Sequence, residues 1–218
     1  QAWLLMENLQ LTHAGDDYQR GRDIAFMHKQ IHSASQPFGW FEDNYIGHSI
    51  QKNQWHFNWV DFYGNQRLKP QLELAQLRGA DNALFDLGHQ LIEALPFWFT
   101  DYTPKASLLH GDLWGGNSAF TLDNNQQSKA VIYDPASYYG DRETDIAMTE
   151  LFGGFSPDFY TGYHSVFPLD SGYSKRRPLY NLYHVINHFN LFGGGYEQQA
   201  LEIIQKLLKQ SKTTTIHN

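Results

Sequence analysis

The stretch Leu108-Leu109-His110-Gly111-Asp112-Leu113-Trp114-Gly115-Gly116-Asn117, followed by Val131-Ile132-Tyr133-Asp134, decides how this 218-residue chain is read. Ser107 to His110 reads as a brief strand, and the glycines that follow turn the chain back sharply. Asn117 to Leu122 and Ala130 to Asp134 read as two strands of a hairpin joined by the polar run Asp123 to Lys129. An Asp in a Gly-rich turn is a turn residue first. The conjunction carries the information: a strand, a loop with Asp and Asn, a hairpin, and a second Asp at its end.

That conjunction has a chemical meaning. Phosphoryl transfer needs one carboxylate to orient and deprotonate the accepting hydroxyl, and oxygen ligands for Mg²⁺ on the nucleotide phosphates. A kinase catalytic loop supplies the Asp and, five residues later, a metal-binding Asn; a second metal-binding Asp follows downstream. Here Asp112 and Asn117 are five residues apart, and Asp134 follows Asn117 by 17.

Outward from this centre the pattern is mainly helical. Asp16-Asp17 caps a helix from Tyr18 to His32, with Ile24, Met27, His28 and Ile31 on one face. Upstream, Trp3 to Leu9 reads as a short buried strand. Ser33 to Tyr63 is a long irregular stretch of the kind that commonly supports function. Gln71 to Leu95 is helical, with Leu77, Leu84, Leu87, Leu91 and Leu95 on one face and a break near Gly79-Ala80-Asp81. Thr144 to Leu151 forms a short helix. Pro178 suits the first turn of a helix ending near Phe192, stopped by Gly193-Gly194-Gly195. Tyr196 to Lys209 is the last helix, followed by a tail expected to fray, residues 213–218.

The composition bounds the function. With 41% hydrophobic and 18% charged residues the chain is globular, and its formal charge of −7 argues against non-specific nucleic-acid or anionic-lipid partners. No apolar run reaches the roughly 20 residues of a membrane span. With no cysteine there is no disulfide, thiolate metal site or Cys nucleophile. A cytoplasmic protein is expected. Aromatic residues reach 16%, which suits either an aromatic core or a ligand pocket.

The run His110 to Asn117, then Tyr133-Asp-Pro-Ala136 and Tyr139-Gly-Asp-Arg-Glu-Thr-Asp-Ile-Ala147, resembles the fructosamine (ketosamine) kinase family. That family is related to the aminoglycoside and choline phosphotransferases. Gly21-Arg-Asp-Ile-Ala25 with His28, Asp43-Asn-Tyr-Ile-Gly47 and Arg67-Leu68 extend the likeness over nearly the whole chain. The resemblance implies an α+β fold, the mainly helical large C-terminal lobe of a protein-kinase-like enzyme with short β-hairpins. Residues 1–9 would be the hinge strand and residues 10–212 the lobe.

The implied activity is ATP- and Mg²⁺-dependent phosphorylation of a sugar hydroxyl on a small ketosamine or a glycated protein. Asp112 would be the base, and Asn117 and Asp134 would hold Mg²⁺. Met6, Glu7, Asn8 and Leu9 would bind adenine through their backbone. Asp145 would brace the catalytic loop, and His110 would shape it by buried hydrogen bonding. Trp114, inside the catalytic loop, is the first candidate to face the substrate; Asn44, Trp55 and Trp59 are further candidates but read better as packing residues. Asp141 resembles a family residue but serves equally well as a turn former.

Other signals are weaker. His184 and His188 have a metal-binding spacing on a helix but lack a third ligand. Lys175-Arg176-Arg177 reads as a solvated charge run.

The chain opens Gln1-Ala2-Trp3 without an initiating Met, and the small N-terminal lobe with the nucleotide Lys that the resemblance implies is expected to be missing from it. Weak nucleotide binding and little turnover are therefore expected from this chain alone. A kinase for an aminoglycoside, choline or another sugar, a non-catalytic kinase-like binding lobe, and a metal-dependent hydrolase remain as alternatives. Oligomeric state is not legible.

Overall fold

The structure is a computed structural model, and it describes residues 7–123 and 125–215. Of the expected strand Trp3 to Leu9, residues 3–6 lie outside the described residues and Glu7 to Leu9 are irregular. Pairing begins at Thr12, which bridges Phe120.

Helix α1 (Asp17–His28) starts as expected, with the Asp16 side chain accepting from the Gln19 N–H at 2.8 Å. It ends four residues earlier than the periodicity predicts. The reason is strand β3 (Ala106–Leu109): Gln30 O accepts from Leu108 N, and His32 N donates to Ala106 O. Those bonds pull Ile31 out of the helix into an antiparallel bridge with Ser107.

The long irregular stretch contains more structure than its sequence indicates. Strands β1 (Asn44–Ile46) and β2 (Ser49–Gln51) form a hairpin, and α2 (Trp59–Phe62) begins a helix that continues through a π-type segment, Tyr63–Leu68, into α3 (Lys69–Leu77). The break before α4 (Asn82–Ala94) falls where expected, and Asp81 caps α4 by accepting from Ala83 N. Leu84, Leu91 and Leu95 are buried, but Leu77 is 84% exposed in the last turn of α3, so it does not belong to that stripe.

Strands β4 (Ser118–Leu122) and β5 (Ser128–Ile132) form the expected hairpin, in register from Ser118 opposite Ile132 to Leu122 opposite Ser128, but β5 begins two residues earlier than expected and stops before Asp134, which lies past its end. Strand β6 (Tyr138–Asp141), which had no clear sequence signal, pairs antiparallel with β3. The described sheets are all two-stranded, in a mixed and mainly helical fold.

Helix α5 (Glu143–Leu151) is the axis of this arrangement. Glu143 through Thr149 are all buried, an all-round burial possible only between two packed layers. Ile146 packs with Ile24, Leu113, Phe159 and Tyr163, while Ala147 belongs to the larger core with Trp59, Leu109, Tyr138 and Leu179.

Helix α6 (Pro157–Val166), unforeseen despite its Ser156-Pro157 start, crosses α1 at backbone contact. A Cβ on Gly21 would lie 2.0 Å from Phe159 O, and one on Gly162 would lie 2.0 Å from Tyr18 O.

Helix α7 (Tyr173–Phe192) starts five residues before Pro178, which sits inside the helix rather than in its first turn. The carbonyl that Pro178 leaves unpaired belongs to exposed Ser174, where water can reach it. The early start follows from Tyr173 and Arg176, which are drawn inward to Glu150 and Glu143. Gly193 stops α7 as expected. Helix α8 (Tyr196–Thr215) runs beyond Lys209 and includes residues 213–215 of the expected frayed tail, with Thr213 Oγ1 donating to Lys209 O.

The α1–α6 crossing generates a prediction. Alanine is the better helix former by about 1 kcal/mol, yet Gly21→Ala and Gly162→Ala should each destabilise by roughly 2 kcal/mol or more through overpacking. Urea unfolding of the complete gene product reads this; unchanged midpoints would contradict the backbone contact.

Candidate active site

The site is built downward from Asp145. This residue of α5 is 1% exposed, and its carboxylate receives three hydrogen bonds. Oδ2 accepts from His110 N at 2.7 Å and faces His28 Nε2 at 3.1 Å; Oδ1 accepts from Gly111 N at 2.9 Å. Burial alone would raise its pKa. The hydrogen bond and charge of His28 and the Gly111 N–H together hold it below the usual carboxylate range. His28 is itself fixed by Tyr163 Oη at 2.8 Å. One carboxylate thus ties α1, α5 and the start of the Gly-rich loop.

Gly111 then turns the chain at φ +85°, and a Cβ there would lie 2.0 Å from Ala136 O. The loop is also held across to the strand end by Ala136 N donating to His110 O. The buried His110 ring spans the same gap, with Nε2 2.9 Å from Tyr133 O and Nδ1 accepting from Asp112 N at 3.3 Å. Burial pushes the His110 pKa down, which suits this neutral bridging role.

This scaffold brings Asp112 and Asn117 together. Asn117 Nδ2 donates to Asp112 O at 2.9 Å and to Asp112 Oδ2 at 3.1 Å. Burial pushes the Asp112 pKa up to about 6; the Asn117 hydrogen bond opposes this, and the charges of Asp145 and Asp134 reinforce it. Asp134 is exposed and adopts a left-handed backbone at φ +52°. Asp tolerates that conformation better than most residues, and such strain is typical of functional turns.

A cation fits here by donor chemistry. With its nitrogen on Asp112, the Asn117 amide turns its oxygen away from the carboxylate, and Asp134 adds a second oxygen ligand type. Mg²⁺ is commonly held by one or two side chains together with substrate phosphates. Among the described residues no cluster of three His, Asp or Glu side chains could hold a metal unaided.

The remaining candidates divide. Trp114 is 38% exposed beside the loop and meets Phe152 edge-on, with Phe152 in turn against His188. The Asn44 amide is engaged as a brace, donating to Ser137 O and accepting from Gln51, both at 2.8 Å. Trp59 is a core residue rather than a substrate-facing one. Trp55 stacks on His32 at a centroid distance of 4.9 Å, in a ladder that continues to Tyr139. Met6 lies outside the described residues.

The structure corrects the reading of Arg176. It is buried and forms a two-pronged ion pair with Glu143 at 2.8 and 3.0 Å, so only its neighbours Lys175 and Arg177 are exposed. Asp141 is also buried, accepting from Tyr180, Tyr102 and Glu143 N.

Sequence reasoning left His184 without a role. It is 3% exposed, its Nδ1 has no hydrogen-bond partner, and that atom lies 3.9 Å from Asp112 Oδ1. Burial pushes its pKa down to about 3, so the ring is neutral. The spacing to His188 reflects a different contact, His188 Nδ1 on His184 O at 2.8 Å.

Comparison with known proteins agrees with this architecture. The family model for fructosamine kinase matches residues 1–210. A probable ketoamine kinase of Synechocystis is 44% identical over 95% of this chain and 68% of its own length. The chloroplastic protein-ribulosamine 3-kinase of Arabidopsis thaliana is 43% identical over 91% of this chain and 59% of its own. A crystal structure of a putative fructosamine-3-kinase from Thermobifida fusca superposes with TM-score 0.80 at 30% identity, covering 94% of this chain and 68% of that one. The chain belongs to the fructosamine kinase family. It spans about three fifths to two thirds of these relatives' length.

Asp112 generates a stability prediction. A carboxyl whose folded pKa is raised from 3.8 to about 6 contributes stability below the lower value that is lost as pH rises through the upper one. Asp112→Asn removes that loss, so in metal-free protein it should be more stable than wild type by about 1–3 kcal/mol near pH 8, and no more stable near pH 3.5. Denaturant melts at both pH values test this; equal stability near pH 8 would contradict the buried setting of Asp112.

Proposed function

We propose that the protein is an ATP- and Mg²⁺-dependent kinase that phosphorylates a sugar hydroxyl of a ketosamine, free or attached to a protein, in the cytoplasm. The supporting observation is the Asp112–Asn117 pair held on a loop that Asp145 braces, in a chain whose relatives are named ketoamine and ribulosamine kinases. On this reading the chain is the large lobe of a protein-kinase-like fold. Among the described residues no helix is long and apolar enough to cross a membrane.

Asp112 accepts a hydrogen bond from the acceptor hydroxyl, orients its oxygen toward the γ-phosphorus and takes its proton. Its raised proton affinity suits this task near neutral pH, where the group is still largely ionised. Asn117 holds the Asp112 carboxylate through Nδ2, while its amide oxygen and the Asp134 carboxylate would hold Mg²⁺, which when bound would supply charge neutralisation for the transferring phosphoryl group. Glu7, Asn8 and Leu9, with Met6 before them, would contact adenine through the backbone. Trp114 offers an aromatic face to the sugar, and Asn44 supports the site by fixing the backbone at Ser137.

Phosphoryl transfer by the complete gene product tests this, with ATP, Mg²⁺ and fructosyl-lysine and detection of the sugar phosphate by phosphorus NMR. Asp112→Asn should lower kcat by about 100-fold or more, while Trp114→Ala should act mainly on KM for the ketosamine. Product from an aminoglycoside or choline but not from the ketosamine would overturn the acceptor class. Full activity of Asp112→Asn would overturn the base.

A further inference from the structure

Among the described residues Asp112 is held at one of its two carboxylate oxygens. Asn117 grips Oδ2 at 3.1 Å, and Oδ1 faces the unpartnered Nδ1 of His184 across 3.9 Å. A buried polar nitrogen without a partner costs about 1–3 kcal/mol. In helix α7 the neighbouring sequence would accommodate an apolar residue readily, since Leu182, Val185 and Ile186 are all buried there. Packing also limits the ring: Tyr183 meets it nearly edge-on at a centroid distance of 5.1 Å, and it is 3% exposed. The mobile partner is therefore the carboxylate, because the terminal torsion of Asp is broad and soft.

We infer that His184 is a positioning residue for the catalytic carboxylate, its neutral imidazole donating from Nδ1 to Asp112 Oδ1 once that carboxylate turns to meet the acceptor hydroxyl. The two neutral donors, Asn117 on Oδ2 and His184 on Oδ1, then fix the rotation of the carboxyl group. Each oxygen keeps a lone pair, and one of these receives the hydroxyl proton. A neutral donor suits this position, since a cation would hold the carboxylate without leaving it as basic. The inference rests on the reading of Asp112 as the base.

It requires one tautomer, with the proton on Nδ1, because an Nε2–H ring would set the Nδ1 lone pair against the Asp112 oxygen. Nitrogen-15 NMR of the complete, unmodified gene product identifies which nitrogen of His184 is protonated, with His184→Asn used to assign the resonance. An Nδ1–H ring is expected; an Nε2–H ring overturns the inference, whether or not the protein turns over.

Kinetics give the second arm. His184→Leu, which removes the donor and keeps the bulk, should lower kcat by about tenfold to 100-fold, with KM for ATP and ketosamine within about twofold. His184→Asn, whose amide N–H stands where Nδ1–H stood, should recover most of kcat. A Leu variant that keeps kcat, or an Asn variant no better than Leu, overturns the positioning role. Should the Leu variant fail to fold, the Asn variant and the tautomer decide. Absence of any sugar phosphate from wild type would instead count against the kinase reading, leaving the tautomer to judge His184.

Discussion

A buried carboxylate cannot remain ionised in a protein interior unless its oxygens are satisfied, and the fold around Asp145 is organised by that requirement. The donors it needs are two consecutive backbone N–H groups, from His110 and Gly111, and one imidazole, His28 from a helix more than a hundred residues away. Satisfying them puts α1 beside α5 and bends the chain after β3 at one angle. Asp112, the next residue, is then aimed by a backbone that has no freedom left. Removing the Asp145 carboxylate would strand all three donors at once in a buried region. The consequences would therefore exceed the loss of any single contact.

The functional residues lie on the side of this brace that solvent reaches. Asp145 is fully enclosed and held ionised, whereas Asp112 is only partly enclosed and has fewer donors, so burial raises its proton affinity instead. On the proposed reading the same side-chain type is set to two purposes by its surroundings, one to build the loop and one to exchange a proton. A second buried anion, Glu143, is matched by the guanidinium of Arg176 and anchors the other end of the β6–α5 turn to α7. Helix α7 also carries His184 to the floor of the site, so the larger core and the reactive loop share one rigid support.

How much of this could be read from the sequence depended on how local each cause was. The Asp16 cap, the β4–β5 hairpin and the Asp112–Asn117 spacing are set by neighbours within a few residues, and they appear where the pattern puts them. Strand β6 and the end of α1 are both decided by pairing with β3, and three-residue strands such as β1 carry too little alternation to detect. Arg176 was misread as solvated because its partner Glu143 lies 33 residues before it. His184 was set aside together with its helical neighbour His188, whereas the structure brings its Nδ1 to 3.9 Å from Asp112 Oδ1, 72 residues earlier in the chain. Family likeness indicated the roles of Asp112, Asn117, Asp134 and Asp145; it did not indicate which core groups serve them.

On the proposed reading one braced loop presents Asp112 to an acceptor hydroxyl and Asn117, with Asp134, to a metal ion. A crystal structure of the complete gene product with Mg²⁺, a non-hydrolysable ATP analogue and fructosyl-lysine tests it most directly. The account predicts a sugar hydroxyl within hydrogen-bonding distance of the Asp112 carboxylate, the metal on the oxygens of Asn117 and Asp134, and the Asp145 hydrogen bonds unchanged. An acceptor hydroxyl distant from Asp112, or a metal held by other residues, would contradict it.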